Sequence, residues 1–191
     1  MIPGIEALKL IARHQGDAVV VTTETPFTLW DSISARREFH LPVINSMSKA
    51  SSIGLGLALA LPQRKVLVVD ADGSLLMNLG SLVTIASQSP RNLVHFVYQN
   101  NIYGVSGGQP LLGAEKLSFV GLAKSAGYPN AFEFDELEDL AIKLPQVLEM
   151  EGPTLVCIKV NDQGIKPTIP ARVTKIAYQE VKEALARDYR P

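Results

Sequence analysis

The chain has 191 residues, 47% of them hydrophobic, and a formal net charge of −1. That is enough for one domain with a real core, and the near-neutral balance removes the electrostatic case for nucleic acid as a partner. No secretory leader opens the sequence and no apolar run reaches the length of a membrane span, so the expectation is a soluble, cytoplasmic protein that makes no membrane contact.

In chain order, residues 5–12 place Ile5, Leu8, Ile11 and Ala12 on one helical face. Residues 18–21 read as a first buried strand, ending in Thr22-Thr23-Glu24-Thr25-Pro26. Residues 27–39 carry Trp30 and the pair Arg36-Arg37 without a readable period. The arginines are expected on a solvated face, with a substrate or interface role as the alternative. Residues 42–45 form a short strand. Residues 50–60 are small and apolar nearly all round, which predicts a buried helix whose Gly54 and Gly56 permit close packing. Gly54 and Gly56 also match part of a dinucleotide fingerprint, but the third glycine is missing and the pair lies inside a helix.

Residues 66–69 are a β-branched run typical of a buried parallel strand. Asp70-Ala71-Asp72-Gly73-Ser74 follows, then a helical pattern with Leu75, Leu76, Leu79, Leu82, Val83 and Ile85 on one broad face. Residues 93–98 are a second buried strand, ending in Gln99-Asn100-Asn101-Ile102-Tyr103-Gly104. A right-handed crossover between the two strands brings their carboxyl ends side by side, where ligands of open parallel sheets bind. Asp72 offers a carboxylate there, Asn100 an amide oxygen and the turn after it a carbonyl, a donor set suited to Mg2+. Gly73 lets a phosphate approach the main chain, and Ser74 is placed to cap the following helix.

Residues 105–110 are polar and glycine-rich, as in a mobile loop over a site. Residues 116–126 are helical and end at Gly127; residues 132–134 are a strand. Asp135 with Glu138 reads as a capping box for a helix to about Met150, with Pro145 kinking or breaking it. Cys157, the sole cysteine, lies in a last strand at 154–160, where burial as a small hydrophobe is expected. Alone it excludes a cysteine-bound iron–sulfur cluster. Pro167 and Pro170 bracket a linker before an amphipathic helix at 173–186. Strands alternate with helices throughout. The expected fold class is therefore α/β, a three-layer sandwich with a parallel sheet covered by helices on both faces, in a single domain over 1–191. His14 and His95 are expected to be structural. His40 has an alternative role near substrate.

Asp72-Gly73-Ser74 and an Asn100 turn 28 positions later together resemble the cofactor motif of thiamine-diphosphate enzymes. Residues 45–56 and 73–80 look like the β subunit of sulfopyruvate decarboxylases and the C-terminal part of phosphonopyruvate decarboxylases. The resemblance implies thiamine diphosphate and Mg2+ as cofactors. Asp72, Asn100 and the Ile102 carbonyl would hold the metal, and Gly73 and Ser74 would contact the diphosphate. Met47 would prop the bent cofactor, and the Asn45 carbonyl would receive the pyrimidine amino group. The substrate class would be a small 2-oxo acid, met by cations such as Lys49, Arg36 or Arg37. The activating glutamate of such enzymes lies in another domain, so the resemblance also implies a second subunit carrying it, in a homo- or hetero-oligomer.

Two departures stand in the motif. Ala71 replaces its usual first glycine, and Met47 is followed by Ser48-Lys49 where glycine is usual. They keep open a non-catalytic subunit that has lost the cofactor. Residues 66–76 also resemble the haloacid-dehalogenase motif, which would make Asp70 a nucleophile and Asp72 a general acid.

Overall fold

The apolar, β-branched runs become the sheet because both of its faces are covered, so every position along a central strand must be apolar or paired. The computed structural model describes residues 1–162 and 174–188. The strands are β1 (Val19–Thr23), β2 (His40–Val43), β3 (Val66–Ala71), β4 (Leu93–Gln99), β5 (Ile102–Tyr103), β6 (Gln109–Pro110), β7 (Asn130–Phe134) and β8 (Thr154–Lys159). Six of them form one sheet in the order β2-β1-β3-β4-β8-β7, with every pairing parallel. β5 and β6 pair separately as a short antiparallel hairpin.

The helices are α1 (Gly4–Arg13), α2 (Glu24–Ile33), α3 (Ala50–Ala60), α4 (Asp72–Leu76), α5 (Gly80–Gln88), α6 (Phe119–Ala126), α7 (Leu137–Glu149) and α8 (Thr174–Asp188). One face of the sheet packs on α1, α2 and α7 through Leu8, Ile11, Trp30, Leu140 and Leu144. The other packs on α3 to α6 through Leu55, Leu75, Leu82, Ile85 and Phe119. Val181 and Ala184 of α8 cover the β2 edge beside Phe39 and Leu41. This is the expected three-layer sandwich. Among the described residues, no helix is long and apolar enough to cross a membrane.

The chain runs outward from β1 to β2, then returns to place β3 on the other side of β1. The helix after β1 and the helix after β3 lie on opposite faces of the sheet. A crevice therefore opens beyond the carboxyl ends of β1 and β3, the usual ligand position in such sheets.

Several local expectations are corrected. Residues 24–33 are a helix, although Thr25, Pro26 and Thr28 are poor helix formers; burial of Phe27 and Trp30 holds it. The pattern after Asp72 is two helices, broken at Met77 to Leu79, and Val83 is 61% exposed. α3 is buried on one face only. Gly54 meets the sheet so closely that a β-carbon would run into the Val68 Cγ2 methyl, whereas Gly56 faces open space. Only Gly54 makes the expected close packing, and neither glycine lies in a nucleotide turn. α7 starts at Leu137 without a side-chain cap and continues through Pro145. Its buried stripe of Leu140, Leu144 and Val147 outweighs the lost backbone bond. The loop after Gly104 is a short 3-10 turn inside the β5–β6 hairpin. The linker expected around Pro167 and Pro170 lies outside the described residues.

Candidate functional site

Four adjacent strands, β2, β1, β3 and β4, end on the same edge and bring Asn45, Glu24, Asp72 and Asn100 to one crevice. Asp72 begins α4, with its carboxylate fully buried. Oδ1 accepts from the Gly73 N–H at 2.7 Å, and Oδ2 accepts from the Asn101 N–H at 2.6 Å. The Asn100 backbone adds a third bond. Burial nevertheless pushes the Asp72 carboxyl up to about 6, with the Asp70 charge adding to the rise and the three backbone amides opposing it. The strand ends are thus coupled through one carboxylate.

The Asn100 turn is shaped by left-handed backbone at Asn101, φ 61°, and by the Ile102 N–H donating to Asn100 Oδ1 at 3.3 Å. Asparagine tolerates that region best among non-glycine residues. Ala71 has φ −93° and ψ 149°. That is ordinary extended backbone, so alanine there carries no strain.

The turn from Asn45 to Lys49 forms the opposite wall. Asn45 and Ser48 both have left-handed backbone, at φ 55° and 74°. Ser74 does not cap a helix. It lies inside α4, and its Oγ accepts from the Ser48 N–H at 2.9 Å. Asn78 Nδ2 donates to the Ser48 carbonyl at 3.1 Å. The break between α4 and α5 is where Asn78 makes this bond, so the turn is pinned from two points. Met47 projects between the walls, its Sδ 3.7 Å from Ser106 Oγ on the hairpin.

Two spaces result. A cavity of about 820 Å³ is lined by residues including Glu24, Phe27, Asn45, Met47, Lys49 and Met77. A cleft of about 10 Å³ lies against Gly73, Ser74, Asn100 and Ile102, with Glu24, Met47 and Tyr103 among its other walls. The expected site residues are therefore brought together. Asn45 faces the large space, Gly73, Ser74, Asn100 and Ile102 the small one, and Met47 both; Asp72 sits behind the small one. The Tyr103 ring fills the approach to Gly73, its Cδ1 and Cε1 2.7 Å from where a β-carbon would stand.

The oxygen donors fit a hard cation: one buried carboxylate, one amide oxygen and a nearby main-chain carbonyl. Among the described residues no three His, Cys, Asp or Glu side chains cluster as a metal site, so a metal here would depend on a single carboxylate and the ligand's own oxygens.

Glu24, Thr25 and Tyr103 line the site without having been singled out in the sequence. The available signal was a polar run at the end of a buried strand. His40 does not approach the cavity. It is fully buried, with Nδ1 2.6 Å from Asp31 Oδ1 and Nε2 2.7 Å from Thr22 Oγ1. His14 bonds the Leu10 carbonyl, and His95 is buried 3.6 Å from Asp70. Arg36 pairs with Glu38 and, opposite Arg64, flanks the Phe39 ring, outside both spaces. Cys157 is buried against Gln99 Oε1, and burial pushes its thiol up to about 12. Asp70 is fully buried and lines neither space. It is 3.6 Å from the buried His95 and is not presented to the crevice as a nucleophile would be, which speaks against the haloacid-dehalogenase reading.

Residues 28–158 match the model of the thiamine pyrophosphate enzyme family's C-terminal TPP-binding domain. The chain is 39% identical to the β subunit of sulfopyruvate decarboxylase from Methanothermobacter thermautotrophicus, covering 96% of each chain. It is 38% identical to phosphonopyruvate decarboxylase from Streptomyces viridochromogenes, covering 87% of this chain and 43% of that protein. So it spans about two fifths of the latter's length. The X-ray structure of a Mycobacterium smegmatis protein, a candidate thiamin diphosphate-dependent enzyme, superposes with a TM-score of 0.73 at 19% identity, over 84% of this chain and 32% of that one.

Proposed function

The chain belongs to the thiamine pyrophosphate enzymes, as a C-terminal TPP-type domain related to the sulfopyruvate and phosphonopyruvate decarboxylases, and from that premise we propose that it is the cofactor-binding subunit of a 2-oxo acid decarboxylase. In this reading residues 1–191 are one diphosphate-binding domain. A partner subunit supplies the pyrimidine-binding half of the active site. The observation that carries the proposal is the convergence of Asp72, Asn100 and the Met47 turn on one crevice.

Asp72, Asn100 Oδ1 and the Ile102 carbonyl would hold Mg2+, and Gly73 and Ser74 would border the diphosphate. The Tyr103 ring must move off Gly73 for the diphosphate to enter, because the present cleft has room for about one water molecule at most. When bound, the cofactor supplies the electron sink for decarboxylation. The chain supplies position. Met47 lines both spaces, and Asn45, on left-handed backbone, lines the larger one, where its carbonyl would receive the pyrimidine amino group.

Calorimetry and CO2 assays on the assembled complex test the reading. Mg2+-dependent thiamine diphosphate binding with CO2 release supports it. Binding without CO2 release from any 2-oxo acid sinks it, and no binding at all would return the chain to the class of non-catalytic subunits.

Two variants check individual roles. Met47→Ala is expected to lower kcat by at least about tenfold while diphosphate affinity changes little, since a prop acts on reactive geometry. A loss confined to affinity, with normal kcat at saturation, removes Met47 from that role. Among the described residues, Lys49 is the only Lys or Arg lining the large cavity, so we assign it to the charged tail of an acidic 2-oxo acid. Lys49→Ala is expected to raise KM about tenfold for substrates with a sulfonate or phosphonate tail, leaving pyruvate unaffected. An equal rise for both refutes the assignment.

A further inference from the structure

Resting on the decarboxylase reading, we propose that Glu24 is the proton donor of this site, its carboxyl delivering a proton to the substrate carbon that CO2 leaves. Three observations place it there. Glu24 follows β1 directly as the first residue of α2, at the β1–β3 crevice, and lines both the large cavity and the cleft beside Gly73. Its backbone is left-handed, φ 57°. A glutamate pays roughly 1–2 kcal/mol for that conformation where glycine or asparagine would sit more cheaply. Backbone strain of this kind clusters at functional sites. Finally, Oε2 is buried without a hydrogen-bond partner, while Oε1 has only the Thr23 hydroxyl at 3.5 Å.

An ionised carboxylate so poorly solvated is unfavourable. Burial first and the Asp70 charge second push Glu24 up to about 7, against a lowering by Thr23. The groups around it are few. Asp70 stands behind it on β3, Lys49 lies on the cavity wall opposite, and Asp31 of its own helix is engaged with His40. Near neutral pH the carboxyl is therefore poised to hold a proton and to release it, as a general acid must be.

The reaction needs one. A 2-oxo acid anion plus one proton gives an aldehyde plus CO2. The carbon–carboxylate bond breaks and its electron pair remains on the former keto carbon. A C–H bond forms there as the Glu24 O–H bond breaks, and the carboxylate recovers its proton from water entering through the cavity.

The test combines a titration with kinetics. Carboxyl-carbon NMR of the purified chain, with Glu24→Gln identifying the resonance, should give a midpoint near 7 for Glu24. In the assembled complex, Glu24→Gln should lower kcat about 100-fold, with KM for the oxo acid within about threefold and thiamine diphosphate affinity unchanged. Glu24→Asp should recover part of the rate. A midpoint in the ordinary carboxylate range overturns the proposal, and so does an unchanged kcat in Glu24→Gln. So does a loss that falls on KM or cofactor affinity, which marks a positioning or binding residue. If the wild-type complex releases no CO2, the decarboxylase reading itself fails; if the wild type turns over and Glu24→Gln matches it, only this inference does.

Discussion

Asp72→Ala is expected to abolish Mg2+-dependent retention of thiamine diphosphate, weakening it by more than about 100-fold, while the fold survives. The proposed shell has one carboxylate, and the remaining donors are neutral oxygens. Removing it leaves Mg2+ without the charge that competes with water for its coordination. The same residue predicts a pH dependence. Asp72 titrates near 6 in the folded chain, raised by burial from 3.8. A metal must displace that proton, so apparent affinity for Mg2+ should be level above about pH 6 and fall up to about tenfold per unit below it. The fold itself shows the opposite trend. An acid whose folded pKa is raised adds stability below 3.8, and that contribution is lost as pH rises through about 6. Calorimetric titration from pH 5 to 8, alongside thermal melts of the metal-free chain, separates the two. Unchanged affinity in Asp72→Ala, or affinity flat down to pH 5, would take Asp72 out of the metal shell.

The sheet was legible because its strands are buried on both faces, so Val66 to Val69 appears as an unbroken apolar run and Leu93 to Tyr98 as one interrupted only by His95. The Asp72–Asn100 edge was legible for the same reason, since each polar cluster follows such a run directly. α2 was not. It begins on a left-handed Glu24 and contains Thr25, Pro26 and Thr28, so its stability comes from Phe27 and Trp30 against the sheet rather than from propensity. The break after Leu76 was hidden as well, because Leu79 and Leu82 continue the helical period across it. Only the bond from Asn78 to the Ser48 carbonyl, made by a residue 30 positions away in sequence, shows why the chain turns there. Glu24 escaped notice for a related reason. Its importance lies in being at the β1–β3 crevice, and strand order is a property of the sheet, not of any local pattern.

The chain alone is expected to release no CO2 from any 2-oxo acid, and activity is expected to appear when a partner bearing the pyrimidine-binding half is added. The acids of this chain near the site are accounted for. Asp70 and Asp72 are fully buried, the second held by backbone amides beside the cleft. Glu24 stands on the wall that the cleft shares with the large cavity, away from Asn45 and Ser46 in the chain and already assigned to the substrate carbon. Among the described residues, the cavity beside the exposed edge of Asn45 and Ser46, where a pyrimidine would be received, is lined by no carboxylate other than Glu24. In the half-site model, the acid that activates that ring comes from the partner. The surface beside the mouth favours coverage: Met77 is 58% exposed and Val83 61%, and the groove of Leu79, Leu82, Val83, Leu122 and Ala126 continues from them. Apolar area of this kind, next to a half-open cavity, is what a second subunit buries, and closing the mouth also excludes water from the reacting carbon. Mixing experiments decide the matter. Full decarboxylation by the chain purified free of any partner, verified by mass spectrometry, would refute the half-site model, whereas a rise from background only on addition of the second subunit is the result that model expects.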